Sequence, residues 1–472
     1  MNRIETDICV IGAGSGGLSV AAGAVQMGAR VVLIEASEMG GDCLNSGCVP
    51  SKTLIAAAKA AEAQRSGGQF GIAPVAPQVD FAAVKDHVAA VIAQIAPVDS
   101  QERFERLGCT VIRAFARFTG PREVEAGGHI IRARRFVIAT GSRPFVPPIS
   151  GAETTPYLTN ETIFALRDRP GHLIVIGGGP IGMEMAQAHR RLGCDVTVIE
   201  GAKVLGREDP DLASVVIDAL RGEGIRFVEG QPVVRLAGTD GAVEVTLGDG
   251  TQIKGTHILM AVGRKVVLDR MNLEAAGVAY TQKGVTVDAR LRSTNRRVFA
   301  VGDAAGGLQF THVAGYHAGI VIRQAAFGIP AQTSSHAIPR ATFTDPELAQ
   351  VGLTEAEARA AHGKALTVIT ADFHHNDRAI AEGKAKGLIK VMVVKGRPVG
   401  ASIVGPQAGE LIGLWALAIS SRLKMSAVAG MIAPYPTLGE VSKRAAGAYF
   451  SPKLFDNPLV KRIVRLVQRV IP

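Results

Sequence analysis

The chain has 472 residues, 47% of them hydrophobic and 20% charged, with a formal net charge of +10. That length exceeds one ordinary core and predicts about two to four domains, while the composition excludes collagenous, low-complexity and disordered classes. Five cysteines are too few for a secreted disulfide scaffold.

Residues 443–472 carry seven basic side chains against Asp456 alone, so more than half of the excess charge sits in the tail. This argues against a nucleic-acid face spread over the body. No run of about eighteen uncharged apolar residues occurs, so no transmembrane helix is expected. Met1 to Asp7 is polar and lacks the flank, apolar stretch and cleavage site of a signal peptide. A cytoplasmic location is expected.

The first element reads as a strand, Ile8 to Ile11, then Gly12-Ala13-Gly14-Ser15-Gly16-Gly17, an Ala-rich helical stretch, and Val31 to Glu35. Gly12 permits the tight turn, Gly14 lets the backbone approach a pyrophosphate, and Gly17 lets the helix pack on the sheet. The pyrophosphate meets free N–H groups at the helix N-terminus, and Glu35 can accept from ribose hydroxyls.

Next comes Gly40-Gly41-Asp42-Cys43-Leu44-Asn45-Ser46-Gly47-Cys48-Val49-Pro50-Ser51-Lys52. Positions five apart in an ideal helix rise about 7.5 Å, more than the roughly 4.4–6.8 Å between the Cα atoms of a disulfide. The chain between the cysteines must therefore be tighter or irregular, which Gly47 helps. Pro50 suits the first turn of a helix expected over Thr53–Ala63, placing Cys48 near a helix N-terminus that stabilises a thiolate. The pair reads as a redox disulfide. The alternatives are two unrelated buried thiols, or part of a metal site that lacks a second CxxC or a His pair. Cys9, Cys109 and Cys194 sit beside apolar residues and read as buried small hydrophobes.

Ala139-Thr140-Gly141 ends a further strand. Leu173 to Ile176 then opens a second copy of the first device: Gly177-Gly178-Gly179-Pro180-Ile181-Gly182, a helical stretch, and Asp195 to Glu200. Twenty-three positions separate Gly12 from Glu35, and the same number separate Gly177 from Glu200. Two dinucleotide sites follow. Glu200 would repel a 2′-phosphate, favouring NADH, although Lys203 and Arg207 are close enough to admit NADPH. Ala261-Val262-Gly263-Arg264 and Val298 to Asp303 are further strand ends of the kind at which cofactors dock.

His312 and His317 follow the Asp303 loop. His374-His375-Asn376-Asp377 reads as a loop without a third metal ligand, and Trp415 as core in a helical run from Leu411 to Ile419. From Leu459 to Ile471 apolar and basic residues separate onto two sides of a helix. Such a helix packs on the body or on a dimer partner, the reading favoured here, or lies on an anionic membrane.

These residues resemble the pyridine nucleotide–disulfide oxidoreductases, a family that includes dihydrolipoamide dehydrogenase, glutathione reductase and mercuric reductase. The resemblance extends to a dimerisation signature, Pro339 through Phe343-Thr344-Asp345-Pro346-Glu347 to Val351-Gly352. It implies an α/β fold: two Rossmann-like dinucleotide-binding domains, for FAD and NAD(P), plus a C-terminal α+β dimerisation domain. The expected divisions are 1–150 for the first part of the FAD domain, 151–265 for NAD(P), 266–335 for the FAD return, 336–455 for the interface and 456–472 for the basic tail.

By resemblance, FAD lies on Gly12, Gly14, Gly17, Glu35, Gly41, Lys52, Gly141 and Asp303. NAD(P)H lies on Gly177, Gly179, Gly182, Glu200 and Gly263. Lys52 pairs with Glu184 near the flavin, Cys48 faces the flavin, and Cys43 attacks substrate. The enzyme is a homodimer whose active site is completed by the partner's C-terminal domain.

Three departures stand out. Where disulfide-reducing members carry His-Pro-Thr with a Glu three residues on, this chain has Tyr435-Pro436-Thr437-Leu438-Gly439-Glu440. A phenol titrates near about 10, an imidazole near about 6.5, so proton relay to a dithiol is impaired. Tyrosine here resembles mercuric reductase, yet the C-terminal cysteine pair of that enzyme is missing, as is its N-terminal metal-binding domain. Lys265-Val266-Val267 also replaces the usual Xaa-Pro-Asn, which alters a turn. The expected acceptors are a small-molecule disulfide or a soft metal ion. The alternatives are a flavin-level reductase of quinones or dyes, and a flavoprotein that docks on a membrane or complex.

Overall fold

The computed structural model describes residues 2–471. Its first layer is a sheet ordered Thr110–Arg113, Val31–Glu35, Asn2–Ile11, His129–Ile138, Glu123–Ala126, Arg117–Gly120, with Val298–Ala300 also paired to His129–Ile138. The central strands are parallel. Ile8 to Ile11 and Val31 to Ile34 are continuous apolar runs because both sheet faces are covered. Ile8, Val10, Val31 and Leu33 meet the helices Ser15–Gln26 and Thr311–Ala325. Cys9, Ile11, Val32 and Ile34 meet a cluster with Phe118, Phe136, Met271 and Leu273. Burying each such side chain contributes about 1.5–3 kcal/mol.

The second layer is a four-stranded parallel sheet ordered Arg226–Glu229, Asp195–Glu200, His172–Ile176, His257–Met260, with a three-stranded antiparallel sheet beside it. Chain leaves and re-enters the first layer through Ser142–Pro144 and Arg264–Val266, which pair antiparallel. The third layer is an antiparallel sheet ordered Arg340–Thr342, Glu347–Gly352, Arg397–Gly405, Leu388–Val394, Leu366–Asp372. Helices Ala408–Ser420 and Glu440–Ala448 share its core. Trp415 is fully buried, as its apolar run predicts, and its indole N–H donates to Ser442 Oγ at 3.0 Å.

Ion pairs tie the second layer to the third. Lys390 Nζ sits 3.0 Å from Asp209 and 2.9 Å from Glu355, and Arg191 bridges Glu223 at 2.7 Å and Asp345 at 3.1 Å. Buried Lys390, Asp209 and Arg191 each have a charged partner, which is what makes charge tolerable there.

Several expectations are corrected. The helix expected over Thr53–Ala63 runs from Cys48 to Arg65, because Pro50 in its first turn needs no N–H partner. His374 and His375 belong to a short 3₁₀ turn, and Asn376 caps the helix Asp377–Ala381. Among the described residues no group of three or more His, Cys, Asp or Glu could hold a metal ion. One helical stretch, Phe81–Arg106, is long and apolar enough to cross a membrane by length and composition. Its Phe81 and Val88 instead enter the core with Leu54 and Ala58 of the Cys48–Arg65 helix. The tail forms the helix Pro458–Val470, none of whose side chains is buried, so it does not pack on its own body.

Candidate functional site: two dinucleotide cradles and a dithiol

The two glycine-rich turns are built alike, contact for contact. Gly12 has φ +103, and a Cβ there would stand 2.3 Å from the Ala139 carbonyl oxygen; Gly177 has φ +112, with its clash at 2.4 Å from that of Ala261. A Cβ on Gly17 would lie 1.8 Å from Gly12 O, and one on Gly182 would lie 2.0 Å from Gly177 O. Only glycine fits these positions. Gly179 faces open space, and Gly14 has nothing nearer than Gly41 Cα at 3.9 Å, which leaves the approach to each helix N-terminus clear. The acids close the loops. Glu35 accepts from Ala13 N at 2.5 Å and Ser37 N at 2.7 Å; Glu200 accepts from Gly178 N at 2.8 Å and Ala202 N at 3.0 Å. Gly41, at φ +60, packs against Gly14. The open glycine cradles and the N–H groups behind them suit dinucleotide pyrophosphates.

Gly141 and Gly263, both at positive φ, flank the two-stranded ribbon and face open space. Asp303 accepts from Ser142 Oγ. Burial pushes the Asp303 carboxyl up, and the Ser142 hydrogen bond opposes that shift. Arg264 donates to Ser142 Oγ at 2.7 Å and Ser142 O at 2.8 Å, and lies 3.2 Å from Asp42. Gly302 N donates to His317 Nδ1 at 3.2 Å, a contact that needs a neutral imidazole; burial lowers the His317 pKa accordingly. His312 instead meets the Pro339 carbonyl at 2.8 Å.

Cys43 lies in the short helix Gly41–Asn45, and Cys48 is the first residue of Cys48–Arg65. The break between them is Ser46-Gly47, where a Cβ on Gly47 would stand 2.8 Å from Asp42 Oδ2. Asn160 braces the break, donating to Asp42 Oδ1 at 2.8 Å and Ser46 O at 3.0 Å. Both thiols are free, and each perturbs the pKa of the other. Cys48 Sγ also lies 3.3 Å from Thr311 Oγ1. The hydrogen bond from Cys43, then Thr311 and the Lys52 charge, pull the Cys48 pKa down to about 6. The neighbouring Cys48 thiolate, then burial, pushes the Cys43 thiol up, so Cys43 keeps its proton where Cys48 has lost its own. Cys9, Cys109 and Cys194 are buried, and burial raises each thiol, Cys109 to about 11 and Cys194 to about 12.

Lys52 Nζ donates to Glu184 Oε2 at 2.7 Å and stands 4.5 Å over the Phe343 ring; Phe343 N donates to Glu184 Oε1 at 2.9 Å. Tyr435 lies in the loop that leads into the helix Glu440–Ala448, whose first residue is Glu440. Tyr435 OH donates to Asp377 Oδ2 at 2.8 Å, Thr437 N donates to Glu440 Oε2 at 3.3 Å, and Asn376 Nδ2 donates to Thr437 O at 3.0 Å. The Asp377 carboxylate raises the Tyr435 pKa. Within one protomer neither Tyr435 nor Glu440 hydrogen-bonds to the thiol pair. Sequence reasoning missed Thr311, Asn160, Asp42, Ser142 and Asp377. Asp42, next to Cys43, and Asp377, at the end of the His374-His375-Asn376 run, had a local signal.

Comparison with known proteins agrees with this geometry. Residues 6–318 match the pyridine nucleotide-disulphide oxidoreductase profile, and residues 338–446 match its dimerisation domain. The chain is 36% identical over 461 residues to a mercuric reductase of Acidithiobacillus ferrooxidans, covering 94% of this chain and 83% of that protein. It is 32% identical over 451 residues to the dihydrolipoyl dehydrogenase of Bacillus subtilis strain 168, covering 93% and 97%. Among solved structures, a Cu(II) complex of the HOCl-induced flavoprotein disulfide reductase RclA from Escherichia coli superposes with a TM-score of 0.85 at 28% identity, covering 95% and 99%. LpdA from Mycobacterium tuberculosis superposes at 0.86 with 26% identity, covering 95% and 99%. With its paired dinucleotide cradles, dithiol and dimerisation domain, the chain belongs to the pyridine nucleotide–disulphide oxidoreductase family, as an FAD-dependent, NAD(P)H-linked oxidoreductase that forms a homodimer.

Proposed function

We propose that the enzyme moves electron pairs from NADH to the Cys43–Cys48 pair and on to a soft metal ion. The observation behind this choice of acceptor is Tyr435, whose hydroxyl is committed to Asp377 at 2.8 Å and whose pKa that carboxylate raises. Release of a dithiol product needs a group that takes and returns a proton near neutral pH. A phenol held protonated does not serve. A soft metal ion needs sulfur ligands instead, and two adjacent thiols supply them. The similarity to mercuric reductases supports this reading.

FAD, when bound, takes hydride from the nicotinamide and hands on an electron pair. Gly12, Gly14, Gly17, Glu35, Gly41, Lys52, Gly141 and Asp303 would hold it; Gly177, Gly179, Gly182, Glu200 and Gly263 would hold the nicotinamide nucleotide. Cys48 is the thiolate at neutral pH, steadied by Thr311 and Lys52. Cys43 carries the proton, gives it up on binding metal, and becomes the second sulfur ligand. Glu184 fixes Lys52, so the cation keeps its place beside the dithiol. Glu440 and Asn376 hold the Tyr435 loop, which the partner subunit would receive at its own dithiol. Each turnover converts NADH and a divalent ion into NAD⁺, a proton and the reduced metal. We place the enzyme inside the cell with its nicotinamide donor, where the exposed tail faces a leaflet of anionic lipids.

NADH oxidation tests the acceptor. Hg(II) in excess thiol should be reduced at least about tenfold faster than lipoamide or glutathione disulfide, a difference of about 1.4 kcal/mol in barrier. Lipoamide turnover equal to or above the metal rate would overturn the reading. Cys43→Ser should abolish metal reduction while sparing dye reduction.

A further inference from the structure

The C-terminal helix has no part in this chemistry. Pro458–Val470 is capped at its start, where Asn457 Oδ1 accepts from Leu459 N at 2.9 Å. Leu459, Ile463, Leu466 and Val470 are between 60% and 71% exposed. At about 100° per residue, the aliphatic side chains from Leu459 to Ile471 fill an arc of about 160°. Lys461, Arg462, Arg465 and Arg469 fill the opposite arc with Gln468. No acidic residue occurs from Asn457 to Ile471. The preceding short helix adds exposed Leu454 and Phe455 beside Lys453.

We infer that this segment is a peripheral anchor that lays the dimer on an anionic lipid surface. Charge decides between a lipid surface and a second copy of the chain. Outside residues 443–472 the chain still carries a net charge of +4, so another copy offers like charge to the basic arc. A helix of thirteen residues is also only about 20 Å long and about 10 Å across, so one face covers about 200 Å², well short of the roughly 800 Å² per partner of a stable protein interface. A bilayer interface accepts both faces together: the aliphatic arc enters the acyl boundary while the basic arc meets phosphates. Each Lys or Arg near such a surface strengthens binding about fivefold, and salt screens the effect. The inference is independent of which acceptor the dithiol serves.

The test is co-sedimentation of the full-length yellow dimer with vesicles of phosphatidylcholine alone or mixed with phosphatidylglycerol. The wild type should pellet with the mixed vesicles and stay in solution with the neutral ones, and high salt should release it. Ile463→Asp with Leu466→Asp, and separately Arg462→Glu with Arg465→Glu, should each weaken binding at least about tenfold. Dimer elution and NADH–dye turnover should not change. Wild-type protein that ignores phosphatidylglycerol vesicles, or a protein truncated after Asp456 that binds them equally, would overturn the inference. So would loss of the dimer in the Ile463/Leu466 variant, which would assign the helix to the partner subunit.

Discussion

Cys48 and Thr311 are 263 positions apart in sequence, yet Cys48 Sγ lies 3.3 Å from Thr311 Oγ1. Each is the first residue of its helix, Cys48–Arg65 and Thr311–Ala325, so the sulfur sits where two helix N-termini favour negative charge. A lowered thiol pKa means that the thiolate persists above the pKa and is lost as pH falls through it, here near about 6. Thr311→Val removes a hydrogen bond to a charged group, worth about 1.5–3 kcal/mol, or about one to two pH units. Thiolate absorbance of the reduced enzyme should therefore disappear at a higher pH in the variant. An unchanged midpoint would remove Thr311 from the site.

The matched glycines allow the two cradles to be separated. Gly17→Ala puts a methyl group 1.8 Å from Gly12 O and should give colourless protein. Gly182→Ala puts one 2.0 Å from Gly177 O and should leave the protein yellow. Its KM for NADH should rise on the order of a hundredfold, about 2.7 kcal/mol. Flavin content and NADH kinetics of the two variants read this directly; loss of flavin from Gly182→Ala would reverse the assignment.

Glu200 closes the second cradle through Gly178 N and Ala202 N at 2.8 and 3.0 Å. Its carboxylate stands where a 2′-phosphate would approach. The wild type should prefer NADH over NADPH, and Glu200→Gln should narrow that preference at least about tenfold by relieving like-charge repulsion. Paired kcat/KM values for the two nucleotides decide the matter. An unaltered ratio would shift the discrimination to Lys203 and Arg207.

Tyr435→His puts a titratable base at the end of a loop already held by Asn376 and Glu440. Lipoamide reduction should rise by about a hundredfold, the lower end of the usual range for general acid–base catalysis, with little change in metal reduction. Steady-state rates with both acceptors check this. No gain with lipoamide would mean that the phenol is not what limits disulfide turnover.

The parts of this site visible in the sequence are those set by local constraint. Gly12, Gly17, Gly177 and Gly182 are fixed by backbone approaches that no side chain survives, and each acid lies on the strand next to its own loop. The break between the cysteines was visible as a length mismatch, which Gly47 resolves against Asp42. Pro50 marks the first helical turn in the sequence, but the helix begins two residues before it, at Cys48, rather than after it at Thr53. Asn160 reaches Asp42 across 118 positions and Tyr435 reaches Asp377 across 58, and no periodicity marks such partners. The amphipathic tail was legible from its period alone, whereas its separation from the body appeared only in three dimensions.

The central claim is that electrons pass through the Cys43–Cys48 pair, and anaerobic titration of the yellow protein with NADH tests it most directly. The account predicts a long-wavelength thiolate–flavin band, absent from Cys48→Ser, that a soft metal ion in excess thiol discharges and lipoamide does not. If no such band forms, or if Cys48→Ser shows it unchanged, the dithiol does not carry the electrons.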